Sequence, residues 1–336
     1  MVKRNTTLSE VAKAAGVSTA AVAKVMYNSK GNTRVSQQKA ELIRKIAREM
    51  NLAPNASARA LRTGKTRTIG FLSGGNAGEI RMRTMVQLTH CLEENGYQIL
   101  FCPSSRYENT YSLAENLAAN CDALVVDLSF VKQDFPACCS GKLLLLTSDE
   151  RAEKYGHPII RYGHAEGVAE AMHYLYNKGH RKIAMFSIDW WNNRDNARVR
   201  SFAECAAELN LEYAPIEYLA DTADAVSIEQ ISRLLIKHKK ATAIFCVCDM
   251  LALRVLQAAN RLGIRVPQEL SVMGFDDINA ARLSVPELTT VRQPCLEIAR
   301  SATNFLMNKL ENADCAVEHA IACSLVERSS VDVPGT

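Results

Sequence analysis

Three observations place the chain in the α/β class: a small all-helical unit followed by a doubly wound core of two lobes. Residues 1–65 of the 336 carry 13 Lys+Arg against 3 Asp+Glu, a net charge of +10, and the other 271 carry −6. Within the basic segment, apolar residues recur at helical spacing in short runs parted by turn signals. From Thr68 onward, short apolar runs alternate with helical stretches. That alternation predicts a mostly parallel sheet with its ligand at the C-terminal strand ends.

The N-terminal helices come first. In "TLSEVAKAAGVSTAAVAKVMYN", Leu8, Val11, Ala12 and Ala15 fall at i, i+3, i+4, i+7, one face of a helix. Gly16 breaks the run, and Ser18 is suited to cap a second helix whose inner face is Val22, Val25 and Met26. Two short helices around a tight glycine turn form a helix-turn-helix, whose second helix enters the DNA major groove. A third helix starts near Ser36, with Ala40, Ile43, Ala47 and Met50 at helical spacing, and ends before Pro54. On its own the charge fits either a phosphate-backbone binder or a solvated basic surface; the helical pattern favours the former. The next stretch, "PNASARALRTG" from Pro54 to Gly64, holds one large apolar residue, Leu61, among alanines and arginines.

In the core the strand candidates are "TIGFL", "YQILFC", "ALVVDL", "KLLLLT", "KIAMFS", "AIFCVC" and "LSVMGF". Helical periodicity fills 83–95, 165–178, 197–209 and 250–262. Seven or more such strands in a chain this long predict two lobes. The glycine-rich turn in "TIGFLSGGNAGE" is not G-x-G-x-x-G and lacks the Lys-Ser/Thr of a phosphate-binding loop, so it reads as a loop edging the cleft. Arg81 and Arg83 follow it at a helix start, which leaves an anionic ligand conceivable.

Several classes are excluded. No apolar run approaches the roughly 18 residues of a membrane span, and no membrane partner is expected. "MVKRNTTLSEV" turns polar where a signal peptide is apolar, so the chain is expected in the cytoplasm. The 11 cysteines include no C-x-x-C pair and read as reduced thiols. Cys246 and Cys248 share a strand face without nearby His partners, so no metal and no cofactor is expected. The seven His are scattered, and neither G-x-S-x-G nor H-E-x-x-H occurs, so no enzymatic activity is expected.

"TLSEVAKAAGVSTAAVAKVMYN", "NLAPNASARALRTGKTRTIGFL", "GHRKIA", "AIFCVCDMLALRVLQAANRLGIRVPQELSVMGFDD" and "PELTTVRQP" occur in this order. In them the chain resembles the lactose, galactose and purine repressor family of bacterial transcription regulators, almost from end to end. The resemblance implies a helix-turn-helix domain at 1–53, a hinge helix and linker at 54–66 and an effector-binding and dimerisation core at 67–332. That core would have the two-lobed fold of periplasmic sugar-binding proteins with three crossovers. Lobe 1 is expected at about 67–162 and 294–318, and lobe 2 at about 163–293 and 319–332.

The resemblance also implies the sites. The recognition helix maps onto Ser18 to Met26, with Thr19, Ala20 and Lys24 facing base edges and Lys24 a donor to guanine. Ser18 and Arg34 join the DNA-facing set. Where the family usually has Thr-Val-Ser-Arg, this chain has Ala21-Val22-Ala23-Lys24. Two hydroxyls are lost, and a bidentate guanidinium becomes a point charge, which implies an altered operator. In the hinge, Asn55, Ala58, Arg59 and Leu61 are the implied contacts. Leu61 would wedge into the minor groove, and Gly64 would stop the helix. For the effector, the family's arginine maps onto Arg198, and its aspartates onto Asp249 and Asp276. These residues would either grip ligand hydroxyls or form an ion pair and a cap. Trp190 and Trp191 would either stack on a ligand face or pack between lobes. The implied partners are double-stranded operator DNA, a second copy of the chain and a small molecule: a sugar, with a nucleoside or an anion as the alternative. No leucine heptads follow "SLVERSSVDV", which favours a dimer over a tail-bundled tetramer. A transport-type sugar-binding protein would share the core but not the basic N-terminal unit.

Overall fold

The computed structural model describes residues 6–27, 33–52, 60–61, 63–74, 78–104, 110–127, 135–147, 156–188, 196–219, 227–311 and 319–335. They form two compact units, Met1–Thr66 and Arg67–Thr336.

The first unit holds α1 (Leu8–Ala15), α2 (Thr19–Tyr27) and α3 (Gln37–Glu49). Thr7 and Glu10 close a capping box on α1: the Thr7 N–H donates to Glu10 Oε2 at 2.7 Å, and the Glu10 N–H to Thr7 Oγ1 at 3.3 Å. Gly16 ends α1 at φ +62°, a left-handed turn that glycine adopts without strain. The Ala21 N–H donates to Ser18 Oγ at 3.2 Å, the cap expected for α2. Val11, Ala12, Val22, Ile43 and Ala47 form the buried centre, ringed by Leu8, Val25, Met26 and Met50. Thr6 Oγ1 donates to the Met50 carbonyl at 2.6 Å and ties the start of the unit to the end of α3.

The second unit contains two parallel sheets. One has six strands: β1 (Thr68–Gly74), β2 (Gln98–Ser104), β3 (Ala123–Asp127), β4 (Leu143–Thr147), β5 (Ile159–Gly163) and β11 (His319–Ala322), in the order β11-β5-β4-β3-β1-β2. Every residue of β3 and β4 is buried, as expected of parallel strands covered on both faces. Helices α4 (Glu79–Glu94) and α10 (Cys295–Leu310) place Leu88, Leu92, Ile298 and Ala302 against Phe71 and Leu144. Helix α5 (Thr110–Asn120) places Ala114 and Leu117 against Leu72, Leu124 and Leu145, a second cluster that shares no residue with the first.

The other sheet has the order β7-β6-β8-β9, from β6 (Ile183–Ile188), β7 (Ile216–Leu219), β8 (Ala243–Cys246) and β9 (Ser271–Met273). Helices α6 (His164–Asn177), α7 (Ala197–Glu208), α8 (Ile228–Lys237) and α9 (Asp249–Arg261) complete one core around Phe186, Phe202 and Phe245. An antiparallel pair, β10 (Thr290–Arg292) with β12 (Ser324–Val326), joins this lobe. The chain passes between lobes after Gly163, after Arg292 and between β11 and β12.

The third passage corrects a boundary. The resemblance places about 319–332 in the second lobe, but 319–322 pairs with 160–163 of β5 and completes the first sheet. The passage therefore falls at Cys323, which is buried in the second-lobe core. Parallel pairing, which the short segment "HAIA" does not announce, decides it. Strand β5 is likewise absent from the runs read out of the sequence, because "IIRYG" breaks off after two isoleucines, too short an apolar run to stand out.

Candidate functional site

In the first unit, α2 presents Ser18, Thr19 and Ala20 to solvent, with Lys24 half-buried, and Arg34 is exposed ahead of α3. Ala21 and Val22 are buried. The methyl of Ala21 therefore belongs to the core of the unit rather than to a phosphate-facing surface. Asn55, Ala58 and Arg59 lie outside the described residues. Ala60, Leu61 and Thr63 are helical, and the Gly64 N–H closes the turn on the Ala60 carbonyl at 2.8 Å. Gly64 has φ +67°, the left-handed conformation of a helix stop. Leu61 is 89% exposed, an apolar side chain that no described residue of its unit covers.

In the second unit, the structure brings Arg198 and Asp276 together. Asn196 caps α7 by accepting from the Arg198 and Val199 N–H groups, which fixes Arg198 in the first turn. Its guanidinium lies 3.9 Å over the Phe275 ring and donates through Nη1 to the Val247 carbonyl at 2.6 Å. Nη2 meets Asp276 Oδ1 at 3.1 Å, and Nε faces His164 Nδ1 at 3.4 Å. His164 Nε2 lies 3.0 Å from Gln293 Oε1, and Gln293 Nε2 donates to Asp276 Oδ1 at 2.6 Å. These four side chains form a closed ring, satisfied when His164 is neutral with its proton on Nε2. Burial, with the neighbouring Arg198 charge, holds the His164 pKa well below its ordinary value, which keeps that form.

Asp276 sits at φ +130° and Asp277 at φ +55°, conformations that cost energy unless the surroundings fix them. Here they do. The Asp276 N–H donates to the Val291 carbonyl at 2.7 Å, and Asp277 binds Arg292 at 2.7 Å and Arg328 at 2.5 Å. The two arginines hold the Asp277 carboxyl below its usual range, against the opposing effect of burial. Burial raises the Asp276 pKa, and the Arg198 charge opposes the rise.

Asp249 lies beneath this loop, fully buried. Its Oδ2 accepts the Ile278 N–H at 2.9 Å, and its Oδ1 accepts from Thr290 Oγ1 at 2.5 Å. A Cβ on Gly274 would lie 2.1 Å from Asp249 Oδ1, so the approach requires glycine. Both Asp249 oxygens are therefore engaged inside the protein. Cys248 is a buried thiol pushed up to about 12 by its burial. Trp190 and Trp191 lie outside the described residues.

From the first lobe, Arg81 at the start of α4 pairs with Asp127 at the end of β3 at 2.9 Å. Arg83 pairs with Glu79 at 2.6 Å and donates to the Asp277 carbonyl at 3.1 Å across the lobes. The two arginines that left an anionic ligand conceivable are thus both matched by carboxylates. Tyr162, at the end of β5, has its ring 5.6 Å from that of His164. His164, Gln293 and Phe275 were not singled out in the sequence: nothing local marks a helix-start His or a loop Gln as partners of an Arg far away in the chain. Among the described residues no three His, Cys, Asp or Glu side chains are grouped to hold a metal ion. No helix there is long and apolar enough to cross a membrane.

The comparisons with known proteins match this division of the chain. Residues 7–55 match the model of bacterial regulatory proteins of the lacI family, and residues 172–331 match a periplasmic binding protein-like domain. The HTH-type transcriptional repressor PurR of Haemophilus influenzae is 28% identical over 97% of this chain and 98% of its own. That of Proteus mirabilis is 28% identical over 97% and 96%. The structure of a lac repressor dimer bound to operator and the anti-inducer ONPF superposes with a TM-score of 0.83 at 21% identity, covering 98% of this chain and 100% of that one.

Proposed function

The chain belongs to the lacI family of bacterial regulatory proteins, as a transcriptional repressor rather than an enzyme, and from that premise we propose how it is controlled. It acts in the cytoplasm as a homodimer, with two helix-turn-helix units on a near-palindromic operator. Ser18, Thr19, Ala20, Lys24 and Arg34 face the DNA, and the hinge adds Asn55, Ala58, Arg59 and Leu61. The effector is a small uncharged polyhydroxylated molecule, of the sugar class, bound between the lobes. Asp276 and Arg198 grip its hydroxyls, with Trp190 or Trp191 against an apolar ring face.

One observation carries the effector reading. Asp276 Oδ1 takes both bonds of the ring, while its Oδ2 has no bond among the described residues. A part-exposed carboxylate oxygen beside a buried arginine with spare N–H capacity suits a pair of hydroxyls. The pairing of Arg81 with Asp127 and of Arg83 with Glu79 favours a neutral ligand over an anion. Asp249, with both oxygens engaged, supports the site from below instead of touching the ligand.

The dimer reading rests on apolar side chains left in solvent. Leu283 is 77% and Val285 94% exposed, beside a groove lined by Leu253, Leu256, Gln257 and Asn260. A projecting knob next to a groove on one surface is what a self-complementary two-fold contact requires.

A metabolite screen by thermal shift tests the effector reading, since a ligand at about 100 times its Kd stabilises by roughly 2.7 kcal/mol. A neutral sugar or sugar derivative is expected to raise Tm and to change a salt-sensitive gel shift on the chain's own upstream DNA. Asp276→Ala should remove the Tm shift and keep DNA binding. An unaltered shift in that variant would overturn the site; the absence of any sequence-selective gel shift would overturn the operator reading.

A further inference from the structure

The 276–279 loop is held from two sides. From beneath, Asp249 at the start of α9 accepts the Ile278 N–H at 2.9 Å and the Thr290 hydroxyl at 2.5 Å. From the first lobe, Glu79 Oε1 accepts the Asn279 N–H at 2.9 Å, and Arg83 Nη1 donates to the Asp277 carbonyl at 3.1 Å. Glu79 and Arg83 are also paired with each other at 2.6 Å. The clasp between lobes is therefore made to loop backbone, and it closes only while that backbone keeps its shape. The positive φ of Asp276 and Asp277 makes the shape one that the chain would leave if released.

We propose that Asp249 is the positioning residue of this interlobe clasp: its carboxyl fixes the 276–279 backbone in the form that Glu79 and Arg83 of the first lobe grip, so its protonation state sets how firmly the two lobes hold each other. The regulatory meaning of the clasp rests on the effector reading above, because the same loop carries Asp276. The clasp itself does not require a ligand.

The charged groups around Asp249 fix the sign. Asp276 and Asp277 face it from the loop, and the thiols of Cys246 and Cys248 lie on its own side. Arg198 binds Asp276 from α7, while Arg292 and Arg328 bind Asp277. The arginines nearby are thus paired with the other two aspartates or, for Arg83, with Glu79, and among the described residues none is paired with Asp249. Burial first, and the Asp276 charge second, push Asp249 up to about 7. A carboxyl that holds its proton more tightly when the loop covers it favours the covered state at low pH. That contribution is fully present below the ordinary carboxyl pKa of about 3.9 and is lost as pH rises to about 7. The clasp is therefore firmer in mild acid and loosens toward neutrality.

Hydrogen–deuterium exchange on the full-length, ligand-free protein tests this, with rates corrected for intrinsic exchange chemistry. The reporter is the first-lobe peptide at the start of α4, residues 79–84, which does not touch Asp249. In the wild type, its protection should fall as pH rises from about 5 to about 7 and level off above. Asp249→Asn keeps an acceptor for the Ile278 N–H and a donor for Thr290 but cannot ionise. Its protection should stay within about threefold of the acid-limit wild type and be flat with pH. Asp249→Ala should lower protection at 79–84 by about tenfold while β6 and β8 keep theirs. A persisting pH slope in Asp249→Asn would overturn the proposal whether or not Asp249→Ala folds. So would unchanged protection at 79–84 in a folded Asp249→Ala. Failure of the metabolite screen with these results intact would overturn only the effector reading.

Discussion

His164 shows what one buried side chain can link. It stands at the point where the chain leaves β5 for the second lobe, and its ring meets Tyr162 on one side and Phe275, 5.3 Å away, on the other. Its imidazole is kept neutral by burial and by Arg198. In the unfolded chain it would protonate below about 6.5. The sign follows: the unfolded state binds more protons at low pH, so this residue costs stability as pH falls below about 6.5. His180, fully buried against Thr242 and the Asp332 carbonyl, acts in the same direction. His164→Gln should therefore lose less Tm than the wild type between pH 7 and about 5, measured at matched ionic strength. Parallel Tm curves for the two proteins would show that His164 is not held neutral. Asp249 has the opposite slope, so the comparison must be made variant against wild type and not from one curve.

At the scale of an element, the segment ending at Gly64 is the informative one. A helix this short is unstable alone in water, and its one large apolar residue, Leu61, is 89% exposed. Such a side chain adds nothing to the stability of its unit, and a wedge for a base step is the use that fits it. Leu61→Ala should leave Tm unchanged and weaken specific operator binding by about tenfold or more, since unstacking a step is what a wedge exchanges for bent DNA. Non-specific binding, carried by Lys and Arg on phosphates, should hardly move. Titration of operator and scrambled duplex at one salt concentration measures both, and equal losses would refute the wedge. Helix α2 allows a similar argument. Its capping serine and inward-facing Val22 were evident from spacing, whereas the burial of Ala21 has no signature in the sequence.

At the scale of the whole molecule, the proposed dimer depends on Leu283 and Val285, which no described residue of their own lobe covers. Val285→Asp places a charge on a knob that two copies would bury, and the desolvation cost falls on association, not on folding. The variant should sediment as a folded monomer at concentrations where the wild type is a dimer. It should also lose cooperative operator binding, because two half-sites need two linked units. A variant that stays dimeric would move the interface elsewhere.

The sequence by itself determined much of the local order: the three N-terminal helices with their caps and apolar faces, four of the core helices to within about four residues, that the strands are mostly parallel, and that positive charge gathers in the first unit; the helices at 110–120, 228–237 and 295–310 were not read from it. Those properties are written in periodicity, caps and composition, which act over a few residues. It also marked Arg198 and Asp276, through motifs more than seventy residues apart in no particular relation to each other. Only the tertiary structure decided that these two meet, that His164 and Gln293 close a ring with them, and that Asp249 faces the protein. It also placed β11 in the first sheet. The reason is common to all four. Each depends on contacts between residues distant in the chain, set by sheet register, burial and the fixed backbone of the 276–279 loop, and no single segment encodes the other half of such a contact.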